Sequence, residues 1–475
     1  MSEITEVRTA VNSASSIWPS IRRTSHRHAL CGEPIRWWRI LFVLAVTLLV
    51  SVRSSHSQPA PPANAQDFGL RLETGEITVG DGRKLLVTQN DQPTVGLFQL
   101  QSGRSRVLVM PDGSLQAFQE NETTESDRPF EPIGKEELAK QLTEGPFPGF
   151  QTRTTRRYLY VYNSSDAFAI GTSRILETMY PGLLSYCRKM DVPVEEPEYP
   201  LVVIIFRTQD EFDKYRKMPE GVIAYYNAVS NRIVMYEQSR FADVAPELAL
   251  KQAISTIAHE GVHQILHNIG TQKRMSNWPL WVSEGLAEYF APTDVGRRIR
   301  WKGVGHVQDL RLHELVTFYR TQPQFSTQGK LLRQTIESNN LNSMGYATSW
   351  ALVSYLAKHE RRQFAEFFRD VSQLEPLGKT VPGQLFEKHF DTDYARLEQE
   401  LVRYLNSLPY TDPIANQTHY VLMIKRRDRR EALITSSPAE LEKMATERTE
   451  GSVYQVRSFA NRQLAEVFSK RWLKN

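Results

Sequence analysis

The stretch "TIAHEGVHQILHNIG", residues 256–270, constrains this chain more than any other. It sits in a helical pattern from about Pro246 to His267, with Pro246 suited to the first turn. Leu250, Ile254, Val262 and Ile265 recur at helical spacing and give that helix an apolar face. Residues four apart on a helix share a face, so His259 and His263 can point at one ion. Neutral imidazoles at that separation suit tetrahedral zinc, and Glu260 lies where it can act as base toward a water on the metal. Two histidines do not complete a site. Zinc needs at least one more protein ligand, and the rest of the chain has to supply it.

His267 lies one turn beyond His263 but too far along a straight helix to reach the same ion. A third His at the sixth position after His263 is also absent, because that position is Ile269. The remaining source is "NWPLWVSEGLAEYF" (277–290), a second helix opened near Pro279, which carries Glu284 and, one turn later on the same face, Glu288. The two cysteines add nothing: Cys31 precedes an apolar N-terminal segment and Cys187 stands alone in the main body. No disulfide framework or thiolate site can form, so any metal must be held by His and carboxylates.

The N-terminus reads as an export segment. "WWRILFVLAVTLLVSV" (37–52) contains an uncharged apolar run from Ile40 to Val52, 13 residues, the length of a signal-peptide core and short for a full span. Five arginines precede that run between residues 22 and 39, which directs the rest of the chain outward. Residues 1–36 are then a cytoplasmic leader and 53–66 a Pro/Ala linker. Within the linker, Ala63-Asn64-Ala65 resembles a cleavage site before Gln66, and an uncleaved membrane anchor is the alternative. Both put the protein in the cell envelope, on the periplasmic or extracellular side.

Residues 67–135 alternate short β-rich runs with turn residues and read as a small β-rich module closed by the polar stretch 119–132. Strand and helix patterns then alternate. A hairpin falls within Val222–Glu237, turning near Ser230-Asn231, and the pattern after the His helix is almost wholly helical to about Leu408. Residues 411–475 read as a strand–helix–strand–helix appendage. The formal charge of +4, from 58 basic and 54 acidic residues, makes no case for a nucleic-acid partner. The run "KRRDRR" (425–430) reads as a solvated loop or strand end. "PLGKT" (376–380) lacks the upstream Gly of a phosphate loop, and His306 and His313 read as surface or packing residues.

An H-E-x-x-H helix followed by a W-x-x-E-G-x-A-E-Y-type helix resembles the gluzincin metallopeptidases, the broad group of thermolysin and aminopeptidase N. Tyr158 to about Leu408 is also similar to an exported bacterial family of unknown function with a peptidase-MA-like domain. The separation of 20 residues (264–283) between His263 and Glu284 is close to that of the gluzincins. The resemblance implies one Zn2+ per chain held by His259, His263 and Glu284, with Glu260 as catalytic base. It implies that Glu288 hydrogen-bonds His259 and fixes its orientation. Tyr346, 62 residues after Glu284 (346 − 284), would stabilise the oxyanion, an ordinary core tyrosine being the other reading. An edge strand within Val222–Glu237 would take a peptide or protein substrate as an added strand. The G-A-M-E-N segment of aminopeptidase N is absent, which favours endopeptidase over aminopeptidase action.

The expected fold is α+β. Its zincin-like core over 136–410 comprises a small mixed sheet, the active-site helix and then a helical half. The N-terminal β-rich module and the α/β appendage flank it. The expected function is zinc-dependent peptide hydrolysis. The rivals are a non-catalytic envelope binding protein on a degenerate zincin scaffold and a zinc hydrolase of a non-peptide amide or ester.

Overall fold

The computed structural model describes residues 69–474 except 90, 220, 240–245, 295–298, 411–412, 414–417, 427–428, 449–452 and 460–461. The leader, the apolar segment 37–52 and the linker with its cleavage site lie outside the described residues. Among the described residues no helix is long and apolar enough to cross a membrane.

The N-terminal part is a six-stranded antiparallel sheet of β1 (Ile77–Val79), β2 (Lys84–Gln89), β3 (Gln92–Ser102), β4 (Ser105–Val109), β5 (Leu115–Gln119) and β6 (Thr124–Glu125). Its order is β5-β4-β3-β2-β6, with β1 on β3. β6 falls inside the polar stretch 119–132: the separator read from the sequence instead pairs with Leu85 and Leu86 of β2. A two-residue strand of exposed Thr and Glu has no period-2 pattern to announce it.

Next come α1 (Lys135–Glu144), β7 (Gln151–Thr154), β8 (Tyr158–Tyr162), α2 (Asp166–Lys189), β9 (Leu201–Thr208), α3 (Gln209–Tyr215), β10 (Ala224–Asn227) and β11 (Arg232–Gln238). The five strands form a mixed sheet in the order β10-β11-β9-β8-β7. β8, β9 and β11 run parallel, and both edge strands, β7 and β10, are antiparallel to their neighbours. The inner strands are apolar on both faces, as burial on both sides requires. One face of the sheet packs on α2 and α4 (Pro246–Asn268), and the other on α1 and α3. Within α4, Ile254, Val262 and Ile265 are buried, whereas Leu250 in its N-terminal turns is exposed and falls outside the apolar face expected from spacing.

The helical half follows. It contains α5 (Leu280–Phe290), α6 (Asp309–Thr321), α7 (Lys330–Glu337), α8 (Ser343–His359), α9 (Arg361–Ser372), α10 (Pro382–Glu387) and α11 (Tyr394–Ser407). A small ribbon of β12 (Thr293–Asp294) and β13 (Arg300–Trp301) interrupts the helical run expected there. The chain ends in β14 (His419–Lys425), β15 (Arg430–Thr435), α12 (Pro438–Arg448), β16 (Val453–Phe459) and α13 (Arg462–Lys474), a sheet ordered β15-β14-β16 with two helices. The appendage therefore holds one strand more than the sequence suggests. β15 opens with Arg430-Glu431, and its residues are only half-buried, which blurs its alternation.

Two glycines let the site helices approach their neighbours. A Cβ on Gly261 would lie 2.4 Å from Leu176 Cδ2 and 2.6 Å from Met179 Cε, both on α2. A Cβ on Gly285 would lie 2.6 Å from the Ser349 carbonyl oxygen and 2.7 Å from Val353 Cγ2, both on α8. Flexible side-chain ends can yield at Gly261, but a helix backbone oxygen cannot yield at Gly285. Each glycine directly follows a glutamate of the candidate site, so helix contact and side-chain placement are set together.

Gly285→Ala tests that coupling. Alanine gains about 1 kcal/mol in helix propensity, while forcing apart packed helices costs about 1–3 kcal/mol, more where the obstacle is backbone. The variant should melt below the unsubstituted protein and hold metal less tightly. An unchanged or raised melting temperature would show that α5 and α8 are not held at this separation.

Candidate metal centre

α4 presents His259 and His263 on one face, and α5 brings Glu284 against them. His259 Nε2 lies 3.0 Å from Glu284 Oε2 and 3.2 Å from His263 Nε2, and His263 Nε2 lies 3.5 Å from the same carboxylate oxygen. Three donor atoms thus form a triangle with edges of 3.0–3.5 Å. Donors 2.0–2.1 Å from a tetrahedral ion stand about 3.3–3.4 Å apart, so the triangle has the size such an ion needs. Among the described residues this is the cluster of His, Cys, Asp and Glu side chains able to hold a metal ion. All three ligands are 1–3% exposed, as are Glu260 and Tyr346.

The neighbouring groups are also ordered. Glu288, one turn after Glu284, places Oε1 3.4 Å from His259 Nδ1, the ring nitrogen that faces away from the other ligands. Its carboxylate is gripped from the far side by Arg311, whose Nη2 donates to Oε1 at 2.6 Å, while Gln308 Nε2 donates to Oε2 at 3.3 Å. Arg311 also donates to Glu314 Oε2 at 3.0 Å and lies over the Tyr346 ring, 5.5 Å from its centroid. Tyr346 stands in the first turn of α8, capped by the Asn342 side chain, with its ring centroid 6.2 Å from that of His259.

Glu260 is held by backbone. The Tyr226 N–H of edge strand β10 donates to Glu260 Oε2 at 2.8 Å. Behind it, Tyr226 Oη donates to Asn231 Oδ1 at 2.9 Å, and Asn231 Nδ2 donates to Asn268 Oδ1, also at 2.9 Å. Arg274 Nη2 donates to that same Asn268 oxygen and Nη1 donates to the Gly113 carbonyl of the N-terminal sheet, at 2.8 and 2.5 Å. Hydrogen bonds therefore connect the β4–β5 turn to the hairpin that positions Glu260.

Charge explains the titration of the site. Burial disfavours the charged form of every group, yet hydrogen bonds donated to the Glu284 and Glu288 carboxylates push His259 up to about 10. Burial likewise works against Glu284, but His263 and His259 bring it down to about 2. Arg311 and His259 hold Glu288 well below the usual carboxylate range against the same burial. Without a cation among them, the carboxylates draw a proton onto His259; a divalent ion would supply that positive charge instead. Glu260 alone is shifted the other way, raised chiefly by burial and so made more basic.

The remaining sequence candidates stand apart. His267 keeps clear of the cluster: its ring stacks on Tyr226, Nδ1 lies 3.0 Å from the Gln272 carbonyl oxygen, and burial drives its pKa down to about 3. His306 is exposed, and His313 bonds Tyr410. Cys187 is buried and its thiol is pushed up to about 11 by that burial. The hairpin places β10 at the sheet edge and β11 inside the sheet. Arg311 and Gln308 went unnoticed in the sequence. They lie between the two histidines that draw the eye in "GHVQDLRLHEL", and an arginine between leucines scores as surface in any periodicity reading.

A family model described as "Protein of unknown function (DUF1570)" matches residues 253–378. That span covers α4 from residue 253 onward and all of α5 and α8, and so includes His259, Glu260, His263, Glu284, Glu288, Arg311 and Tyr346. No curated protein matches the chain.

Dialysed protein should take up about one divalent ion per chain, measured by elemental analysis, and lose tight binding on Glu284→Ala. Glu288→Gln should weaken binding by the roughly 10–100-fold characteristic of an outer-shell partner. Stoichiometric metal in Glu284→Ala would remove Glu284 from the ligand set. The metal-stripped protein should also be pH-sensitive. His259 rises from 6.5 toward about 10 on folding, so its stabilising charge is fully present below 6.5 and is lost as pH climbs through 10. Melting temperature should fall over that window, and bound metal should abolish the fall.

Proposed function

We propose that this chain is an exported zinc-dependent peptidase of the gluzincin type, with a zincin-like core formed by the mixed sheet, α4 and the helical half. The observation that carries the proposal is Glu260: a buried carboxylate of raised pKa, beside three convergent ligands and outside the ligand set. A purely structural metal site gains nothing from such a base. The donor set of two imidazoles and one carboxylate is that of hydrolytic zinc sites, which leave a fourth position open. Zinc bound there would polarise the scissile carbonyl and acidify water.

The chain's own residues account for the proton. Glu260 accepts it from the attacking water and delivers it to the leaving nitrogen, and its elevated pKa suits both steps. The Tyr226 amide orients the carboxylate from one side. Tyr346, buried with its ring near that of His259, would donate to the developing oxyanion. Antiparallel pairing alternates the direction of backbone groups. Since the Tyr226 N–H faces away from β11, the backbone of Ala224, two residues earlier, faces the same way. That row is where a peptide substrate would add as a further strand. Endopeptidase action is the preferred form, and residues 37–52 would anchor the enzyme to the membrane if they are retained.

Glu260→Gln preserves size and most hydrogen bonding while removing the base. Zinc content and folding should stay near those of the unsubstituted protein, and cleavage of a peptide library should fall by roughly two to four orders of magnitude. Equal cleavage by both proteins, or none by either with zinc bound, would defeat the peptidase reading. A binding scaffold or a hydrolase of non-peptide amides or esters would then take its place.

A further inference from the structure

Outside the N-terminal leader and linker, the positive charge of this chain gathers at its C-terminal end. Residues 418–475 contain 12 Lys and Arg against 7 Asp and Glu, a net of +5, whereas the whole chain carries +4. The fold then polarises that charge. β14 ends at Lys425, β16 begins opposite it with Val453 paired to Lys425, and α12 and α13 both run back to the same end. Two contacts fix this convergence: Arg426 Nη2 donates to the Arg448 carbonyl at the close of α12, and Arg430 Nη1 donates to the Trp472 carbonyl at the close of α13. Lys425, Arg426, Arg429, Arg448, Lys470 and Arg471 are therefore gathered at one exposed end, from three separate segments.

Part of this charge has a local purpose. Arg426 and Arg430 cap the last carbonyls of two helices, where cations are favoured. Glu431 pairs with Arg429 and Arg448, and Glu447 is turned back toward Lys443, 4.0 Å away. Among the described residues, Lys425, Lys470 and Arg471 make no ion pair. The acids Glu440, Glu442 and Glu466 come from the first turns of α12 and the first half of α13, toward the opposite end, where Glu440 bonds Thr435 and Glu466 bonds Arg462.

The same end exposes apolar side chains. Tyr454, paired with Ile424 next to Lys425, is 49% exposed, and Leu473 at the close of α13 is 46% exposed. Among the described residues, four of the eleven exposed large hydrophobic side chains belong to this short appendage. A tyrosine and a leucine at the same end as these lysines and arginines match the chemistry of a lipid–water interface: the ring and methyls enter the headgroup layer while the cations meet lipid phosphates. A nucleic-acid backbone would meet the same cations, but it would leave Tyr454 and Leu473 in water, whereas a headgroup layer buries them, and that favours lipid.

We propose that the basic end of the appendage docks on an anionic phospholipid surface, through Lys425, Lys470 and Arg471 with Tyr454 and Leu473 entering the headgroup layer. This goes beyond the hydrolase reading and stands or falls without it.

The test uses the full chain with Cys31→Ser and Leu473→Cys, labelled at residue 473 with a polarity-sensitive fluorophore, since Cys187 is buried and shielded. A probe at residue 473 reports on the appendage even if residues 37–52 insert into every vesicle. Vesicles containing phosphatidylglycerol should shift the emission to the blue, pure phosphatidylcholine vesicles should not, and high salt should reverse the shift. Lys470→Glu with Arg471→Glu, both exposed and clear of the core, should weaken the response by more than about tenfold. Equal shifts on both lipids, no shift on either, or an equal shift with duplex DNA and no lipid would each overturn the proposal.

Discussion

Burying like charges together is the constraint on which the site depends. Glu260, Glu284, Glu288 and Glu314 surround two imidazoles and one guanidinium in a region almost closed to water. Desolvation alone would protonate or expel such a group of carboxylates. Arg311 answers part of it by bonding Glu288 and Glu314 together. The rest falls to the position between His259, His263 and Glu284, which attracts either a proton onto His259 or a cation. The same arithmetic explains why Glu260 differs from its neighbours. Glu284 takes hydrogen bonds from the two imidazoles and Glu288 from Arg311 and His259, whereas at Glu260 burial outweighs the charge of the imidazoles and the bond from a backbone amide, so its pKa rises while theirs fall.

Placement of these groups rests on helix contacts and on a second, neutral network. Gly261 and Gly285 let α4 and α5 touch α2 and α8, which brings the imidazoles and carboxylate to within hydrogen-bond distance. One and two turns beyond Glu260 on α4, Gln264 and Asn268 hydrogen-bond with Asn231 and Arg274 and tie the β10–β11 hairpin to the helix's last turns. Arg274 extends that tie to Gly113, and the Leu115 N–H extends it again by donating to the Val229 carbonyl at 2.7 Å. The N-terminal sheet is thus bonded to the hairpin whose amide holds Glu260. Its apolar face, with Leu100, Val107 and Leu115, packs on Met275, Tyr199 and Val229 of the part that follows.

Much of the site was legible before the structure because it is local. His259 and His263 needed only the four-residue rise of one helix, and Glu288 needed only one turn beyond Glu284 on another. A long element with strong periodicity such as α4, expected from about Pro246 to His267 and observed at Pro246–Asn268, lies close to where its pattern puts it. β6, β12 and β13 escaped because two-residue strands have no period, and β15 because its charges mask its alternation. Leu250 counted toward an apolar face by spacing, yet spacing cannot say which turns of a helix meet a partner.

By itself the sequence determined the chemistry available: two imidazoles and an intervening glutamate on one helix, carboxylates one turn apart on the next, and no thiolate to compete. Helical geometry is short-ranged, so those relations follow from spacing alone. The tertiary structure alone decided that the second helix faces the first, that Arg311 reaches Glu288 across 23 positions, and that an edge-strand amide meets Glu260 across 34. It also decided that basic segments scattered through the last 58 residues meet at one end. Such contacts depend on how helices and sheets pack against each other, and no periodicity within a single element encodes that.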